Sequence, residues 1–307
     1  MNPQVISMFS DFYGKSQNDV SAVHEKFFGH SFQKERVIKL VAVSGEKVLG
    51  FASFSYWPYK KDGVIYNSYQ VGNAIIHPDH RGKGIFQKIL KYVDVNHRKL
   101  NVDFLFAFPH ISASYPSFMK FGYENPFDLV WRIKFVNLIA FLFNRKSILT
   151  QFSASPLVLV QGDSPFYKLQ RTPDFDDWFF SSRSENNYAY YNYDDGVNKI
   201  TFYLKSNQRG KWINELIIGD IRTNSSDRVA YDKALSAFLS IVKKAKSVTI
   251  ISIAYNEQIK SYKNAIFNRR FRKIKPVIHF VYRNYLEGTN LSKADEWELY
   301  RGDIDTW

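Results

Sequence analysis

The chain has 307 residues, of which 45% are hydrophobic and 23% are charged, and this globular composition excludes a disordered, collagen-like or heptad-repeat protein. The length is typical of about two domains. The 42 basic and 29 acidic residues give a formal net charge of +13, which favours anionic partners. The absence of cysteine excludes disulfides, thiolate metal sites and a cysteine nucleophile, and it agrees with the cytoplasmic location that we expect.

No segment of the sequence predicts stable insertion into a membrane. The amino terminus lacks a basic region followed by an apolar one. The longest apolar run, residues 135–143, is too short for a bilayer, which needs about 20 residues. Four basic residues flank this run: Arg132, Lys134, Arg145 and Lys146. An interfacial helix is therefore one interpretation, but the length favours a buried helix between two domains.

The first half of the chain alternates strand and helix patterns. Strands are predicted at residues 37–43 and 47–55, joined by a tight turn, and at 66–76, 102–108 and 129–135. Helices are predicted at 84–96, where Ile85, Ile89, Leu90 and Val93 share one face, and at 112–121. This order predicts an α/β fold with a mixed central sheet flanked by helices.

The second half repeats the order of the first after an irregular, proline-containing stretch at 151–177. Strands are predicted at 199–205, 212–221, 248–254 and 276–283, and helices at 227–245 and 256–268, the latter basic. Gly122-Tyr123 in the first copy corresponds to Arg270-Phe271 in the second. We therefore predict two tandem related domains, 1–150 and 151–307. The second is degenerate and contributes to the acceptor pocket or to an interface, for which a homodimer is one candidate.

The segment between the strand at 66–76 and the helix at 84–96 has the composition of a phosphate-binding loop. Gly82 and Gly84 allow backbone angles that are closed to other residues. The start of the helix offers unpaired N–H groups and the positive end of a dipole, and Arg81 and Lys83 add positive charge. This predicts a site for an anion, best suited to a pyrophosphate. The segment matches neither G-x-x-x-x-G-K-[ST] nor G-x-G-x-x-G.

The same segment resembles the acyl-coenzyme A binding motif of the GNAT superfamily of N-acetyltransferases. Its usual form, Gln/Arg-x-x-Gly-x-Gly/Ala, is filled here by Arg81, Gly84 and Phe86, and Phe86 departs from the small last residue. Residues 106–110 and 118–123 resemble the next strand of that superfamily and its helix with a Gly-aromatic ending. The resemblance covers residues 35–135, whereas the second half shares only the layout.

The resemblance implies an acyl-coenzyme A dependent N-acyltransferase. Acetyl-coenzyme A is the expected donor, and the expected acceptor is a small amine such as an amino sugar or a nucleotide-linked sugar. Backbone amides of six residues are then expected to hold the pyrophosphate: Arg81, Gly82, Lys83, Gly84, Ile85 and Phe86. The end of the preceding strand, Ile75 and Ile76, is expected to bond the pantetheine arm and to polarise the thioester. The strands 66–76 and 102–108 are expected to splay, so that the amine attacks in the gap.

The sequence departs from the superfamily in its acid and base. Many members carry a Glu on the strand before the loop, but residues 69–74 contain no carboxylate. Many also carry a Tyr four residues before the Gly of the Gly-aromatic pair, where Phe118 stands here; the nearest tyrosine is Tyr115. His110, which follows the buried strand where some relatives have Asn, is a second candidate because histidine titrates near neutral pH. His110 and Tyr115 are therefore the predicted catalytic residues, although His110 also fits a purely hydrogen-bonding or core role.

Several alternatives remain open. His77 and His80 are three residues apart, but without cysteine or a carboxylate cluster we expect no metal. The second half has no glycine loop, and Asp227 at its helix start reads as an N-cap, so we expect no coenzyme there. The missing Glu and Tyr favour a non-catalytic acyl-coenzyme A binding module. The charge suggests a nucleic-acid binder, but the basic residues are spread over both halves without a recognised motif, so we expect no nucleic-acid partner.

Overall fold

The computed structural model describes residues 2–110, 114–143, 146–158, 164–181, 188–224, 227–259, 266 and 269–304. The helices are α1 (Pro3–Tyr13), α2 (Gln17–Phe28), α3 (Ser31–Lys34), α4 (Ile85–Asn96), α5 (Tyr115–Lys120), α6 (Lys146–Leu149), α7 (Pro173–Ser181) and α8 (Arg228–Ala245). The strands are β1 (Ile38–Ser44), β2 (Lys47–Tyr56), β3 (Tyr59–Lys61), β4 (Val64–Tyr66), β5 (Ser68–Ile76), β6 (Phe104–Ala107), β7 (Glu124–Phe135), β8 (Lys168–Leu169), β9 (Tyr188–Asp194), β10 (Lys199–Arg209), β11 (Ile213–Thr223), β12 (Ile250–Asn256) and β13 (Arg272–Asn284). Most of the helix predicted at 256–268 lies outside the described residues.

A ten-stranded mixed sheet in the order β1-β2-β5-β6-β13-β7-β12-β11-β10-β9 forms the centre of the molecule, which confirms the predicted fold class. The order has an approximate twofold relation, because β1, β2, β5 and β6 correspond to β9, β10, β11 and β12. The pairs β5–β6 and β11–β12 are parallel, and α4 and α8 are their crossovers. The small sheet β4-β3-β8 lies beside it.

The two halves exchange their last strands. The strand β7 of the first half pairs with β12, and β13 of the second half pairs with both β6 and β7. The sheet therefore runs without a break across the predicted boundary at 150/151, which stays a prediction. The exchange gives each half a long interface with the other, and no part of it was visible in the order of the elements along the chain.

The backbone supports the predicted correspondence between the halves in two places. Gly122 and Arg270 both adopt left-handed angles, with φ of 88° and 59°, and each is followed by a buried aromatic residue. Both long strands also carry a bulge: the register shifts between Phe51 and Ser53 opposite β5, and between Tyr203 and Leu204 opposite β11. The repeat is therefore structural as well as one of element order.

Large apolar side chains fix the crossover helices on the sheet. Leu90 and Val93 of α4, and Phe238 and Val242 of α8, are fully buried, as expected for the apolar face of an amphipathic helix. Burying each such side chain contributes about 1.5–3 kcal/mol. The aromatic residues around Trp178 belong mostly to the core, and Trp178 itself is fully buried.

The interpretation of residues 135–143 as a buried helix is wrong. After the last residue of β7, Phe135, the segment is a loop with one 3-10 turn, Ala140–Leu142, and several of its large apolar side chains are exposed. Leu138 is 74% exposed and Leu142 is 69% exposed. Its backbone is held in place instead, because the buried Asn214 side chain donates to the carbonyl groups of Ala140 and Phe143 at 2.7 and 3.1 Å.

Candidate functional site

The predicted splay between the parallel strands β5 and β6 is present. The two strands pair at three positions only, and the last pair joins Gln70 to Phe106. Beyond it β5 continues to Ile76 while remaining paired to β2 on its other side. Because a strand edge carries N–H and C=O groups that need partners, the edge of β5 from Val71 onward is available to a ligand.

A bulge lies at the point where the strands separate. Asn73 and Ala74 of β5 together face Ala52 of β2, and Asn73 has a left-handed φ of 44°. A non-glycine residue in this region of backbone space is uncommon and is often found at functional sites. The bulge turns the end of β5 away from β6 and so widens the gap.

The loop after β5 presents an uncapped helix start. Gly82 and Gly84 have φ of 74° and 71°, and Gly84 is the N-cap of α4. No side chain caps α4, and its first turn contains no acidic residue. A Cβ atom at Gly82 would meet nothing within 4 Å. The first amides of the helix and the positive end of its dipole therefore face open space, which is the arrangement that suits a phosphate group.

Side chains around the loop add order and positive charge. The Nε atom of Arg81 donates to the carbonyl of Ile76 at 3.3 Å, which ties the loop to the end of β5. Desolvation, and then the positive charges of Lys83 and Lys47, lower the pKa of His80. The contributions of Lys83 and Lys47 to that shift reflect positive charge near the loop, which favours an anion.

The gap and the loop belong to one open cleft of about 870 Å³. Its walls are the end of β5, the loop with the start of α4, residues 107–109 after β6, and one side of α5. The fifth wall is α1, which contributes Phe9, Phe12 and Tyr13. Phe12 and Tyr13 are 63% and 52% exposed. The size and the mostly apolar lining with a few polar groups are typical of a small-molecule site.

The predicted coenzyme residues come together in this cleft with one exception. Seven of them line it: Ile75, Ile76, Arg81, Gly82, Gly84, Ile85 and Phe86. Lys83 is exposed beside the loop and is not part of the lining. The ring of Phe86 packs edge-on against Phe118, with centroids 5.5 Å apart, so the large residue in place of the usual small one fills space between α4 and α5.

The two predicted catalytic residues lie outside the lining of the cleft. His110 is exposed, and its backbone N–H donates to the Oγ of Ser114 at 3.1 Å. The ring of Tyr115 packs on the ring of His279, with centroids 4.5 Å apart. Among the described residues that line the cleft, none is an Asp or a Glu. Their catalytic roles therefore stay predictions.

Gln70 is a buried polar residue of the cleft lining, at the point where β5 and β6 separate. The sequence analysis noted only that this strand has no carboxylate and did not single out Gln70. It is 3% exposed, and its Oε1 atom has no hydrogen-bond partner in the described part of the chain. A buried amide oxygen without a partner costs about 1–3 kcal/mol. An N–H group of a ligand in the cleft would recover that cost.

The gap that corresponds to this cleft in the second half is filled. The strands β11 and β12 pair up to Ile218 and Ile253, and the carboxyl-terminal segment packs where they separate. Gly302 lies so close that a Cβ atom there would approach the carbonyl oxygen of Gly219 to 2.5 Å. At the start of α8, Asp227 accepts the N–H of Val229 at 2.8 Å, as the sequence predicted.

Buried charges hold that segment in place. Arg222, which is 2% exposed, donates to Asp176 at 2.8 and 3.1 Å and to Asp220 at 3.0 Å. Arg171 donates to the carbonyl of Gly302 and to Asp303. Burial, together with the charge of Asp220, raises the pKa of Asp303, and the charge of Arg171 opposes that rise. This network leaves little room for a coenzyme in the second half.

Solved structures share this fold. A GCN5-related N-acetyltransferase from Anabaena variabilis superposes with a TM-score of 0.59 at 14% identity, over 92% of this chain and 69% of that one. A conserved protein of unknown function from Enterococcus faecalis, described as a probable N-acyltransferase, superposes with a TM-score of 0.56 at 14% identity, over 92% of this chain and 69% of that one. A GCN5-related N-acetyltransferase from Kribbella flavida superposes with a TM-score of 0.54 at 14% identity, over 92% of this chain and 68% of that one. The chain therefore has the fold of the GCN5-related N-acetyltransferases.

The family model of the acetyltransferase (GNAT) domain matches residues 2–125. Over this range the chain matches a GNAT acetyltransferase domain, which confirms the resemblance based on the loop. The matched range begins at α1, which forms a wall of the cleft but was not part of the sequence motif. No curated protein matches this sequence.

Proposed function

We propose that the protein transfers an acyl group from acyl-coenzyme A, with acetyl-coenzyme A as the first donor to test, to the amine of a small acceptor. The observation that carries this proposal is the continuity of the open edge of β5 with the uncapped start of α4 through one cleft. The open edge of β5 can pair with the amides of a pantetheine arm, and the uncapped start of α4 can bind a diphosphate. GNAT membership of residues 2–125 supports the same chemistry.

In this reaction the amine nitrogen attacks the thioester carbon directly. The carbon–sulfur bond breaks, the sulfur leaves as a thiolate, and the proton lost by nitrogen ends on the thiol. The products are an amide and free coenzyme A. The protein contributes position and a donor for the oxyanion, and no covalent intermediate is needed. Gln70 belongs to the cleft lining, and its buried Oε1 atom, which has no partner in the described part of the chain, is suited to accept an N–H of the amine and so orient its lone pair.

The absence of cysteine simplifies the test, because the protein itself adds no thiol to the signal and thiol release above a protein-free control comes from turnover. We expect thiol release in the presence of at least one amine from a panel that includes amino sugars, nucleotide-linked sugars, polyamines and amino acids. Substituting His110→Ala and Tyr115→Phe in the same assay tests their predicted roles. A rate and pH profile unchanged by either substitution would exclude that residue as acid or base.

One observation favours a second candidate, a coenzyme-binding module without catalysis. The cleft lining includes no carboxylate among the described residues, and both predicted catalytic side chains lie outside it. Calorimetry separates the two functions: binding of coenzyme A without thiol release for any amine supports the module, whereas no binding at all contradicts both.

A further inference from the structure

An exposed apolar patch shares no residue with the lining of the coenzyme cleft and takes no part in the proposed chemistry. It consists of the end of β7, the loop after it, and the turn between β10 and β11. Six large apolar side chains in it are between 43% and 74% exposed: Phe135, Leu138, Ile139, Leu142, Phe143 and Trp212. Scattered single apolar residues on a surface are ordinary, but a contiguous group of this size usually marks an interaction site.

Hydrogen bonds fix the backbone of the loop that carries the patch. The Asn214 side chain, itself only 4% exposed, holds the carbonyl groups of Ala140 and Phe143 and also that of Ser247 at 3.2 Å. The Asn137 side chain donates to the carbonyl of Lys246 at 3.0 Å. These bonds hold the backbone of the loop against the protein, while the side chains of Leu138, Ile139 and Leu142 stay exposed. A loop that needed only to connect two elements would place polar residues there.

Positive charge surrounds the patch. Lys243, Lys244 and Lys246 are exposed at the end of α8, next to the loop, and Lys211 is exposed beside Trp212. The described residues include no ion pair for any of these four. After desolvation, the charge of Lys243 is the largest cause that lowers the pKa of Lys134, which shows how closely the cations gather.

We propose that this patch docks the protein on an anionic phospholipid surface, with the six apolar side chains entering the headgroup region and the lysine rim contacting the lipid phosphates. Apolar and aromatic side chains in the centre with Lys at the edge are the combination that binds such surfaces. The described residues include no helix long and apolar enough to span a membrane, so the contact is peripheral. A second copy of this chain fits less well, because two lysine rims would repel each other.

The strand registers relate the patch to the cleft. The strands β5 and β6 run toward the end of the sheet at which β11 and β12 begin, since β6 is antiparallel to β13, β13 to β7, and β7 to β12. The patch lies at that end. Docking would therefore bring the cleft toward the lipid surface, although the docking itself does not depend on acyl transfer.

Co-sedimentation of the full chain with vesicles tests the proposal. We expect binding to vesicles of phosphatidylcholine mixed with phosphatidylglycerol, weaker binding as salt rises, and little binding to phosphatidylcholine alone. The double substitution Leu138→Ser/Leu142→Ser is expected to weaken binding by roughly tenfold or more. Val197→Ser is the matched control, because Val197 is 78% exposed in the turn before β10, at the opposite end of the strands.

The charged rim has its own matched pair. Lys243→Gln and Lys246→Gln are each expected to weaken binding to the anionic vesicles by about fivefold, whereas Lys99→Gln, exposed beyond the other end of the sheet, is expected to change nothing. Unchanged urea midpoints would show that the variants are folded. Failure of the wild type to bind anionic vesicles at low salt would overturn the proposal. So would equal binding of the Leu138/Leu142 variant, or a dimer that this variant dissociates.

Discussion

The substitution Gly84→Ala separates the conformational cost of the loop from its role in binding. Gly84 has φ of 71°, and an added Cβ would meet only the Oε1 atom of Gln87, at 3.8 Å. The steric cost in the protein is therefore the left-handed backbone alone, about 1–2 kcal/mol. Gly288 is the matched control, since it has φ of 74°, an added Cβ there meets nothing within 4 Å, and it follows β13 at the opposite end of the sheet.

Both variants are expected to lose about 1–2 kcal/mol in the free energy of unfolding, measured with urea. Only Gly84→Ala is expected to weaken the binding of coenzyme A, because relaxing its φ turns the first amides of α4 away from the diphosphate. Each charge-assisted bond lost contributes about 1.5–3 kcal/mol, so the Kd from calorimetry should rise at least about tenfold. If both variants bind coenzyme A as tightly as the wild type does, or if both bind it equally weakly, the assignment of the loop as the diphosphate site is refuted.

Three further predictions concern other parts of the molecule. Gln70→Leu is expected to raise the KM for the amine at least about fivefold while leaving the Kd of coenzyme A unchanged, because about 1 kcal/mol or more of hydrogen bonding is lost; a lower kcat at unchanged KM would contradict this positioning role. Burial, and to a lesser degree the charge of the amino terminus, lowers the pKa of His24 from 6.5 to about 4. The unfolded chain then binds the proton first, so the free energy of unfolding should fall by up to about 3 kcal/mol as the pH drops from 6.5 to about 4. His24→Phe should remove that slope, and a slope that persists would exclude His24 as its source. Arg222→Met leaves Asp176 and Asp220 with only the longer contacts of Arg171, at 3.4 and 3.5 Å, and should cost up to about 3–5 kcal/mol in urea unfolding, whereas a loss below about 1 kcal/mol would show that the network is not closed to water.

The elements of the sheet could be predicted because their signals are local. The apolar face of α4, and the strand composition of β1 and β2 with the tight turn between them, depend on residues that are close together in the sequence. The exchange of β7 and β13 could not be predicted, since pairing between distant strands depends on which edges are left open, and the pattern of one strand does not reveal its partner. The sequence also carried an unused signal for α1: Asn2 followed by Pro3, with Gly14 after the last turn.

The backbone of the glycine loop could be predicted and the surroundings of the two candidate catalytic side chains could not, for a physical reason. Glycines at a helix start determine the backbone of the loop locally, so the left-handed angles of Gly82 and Gly84 follow from the sequence. The direction of a side chain depends on tertiary neighbours: Tyr115 packs on His279, a residue more than 150 positions away. The apolar run 135–143 likewise predicted a buried helix. Burial depends on which other elements pack on a segment, and in the described structure Leu138 stays exposed.

The measurement that tests the central claim most directly is a calorimetric comparison of coenzyme A with pantetheine, which keeps the arm but has no diphosphate. We predict one equivalent of coenzyme A per chain and a Kd for pantetheine roughly a hundredfold weaker or more, since at least two charge-assisted bonds are lost. Equal affinity for the two compounds, or no heat of binding with either, would contradict the account of the loop. A second equivalent of coenzyme A would contradict the account of the filled gap in the second half.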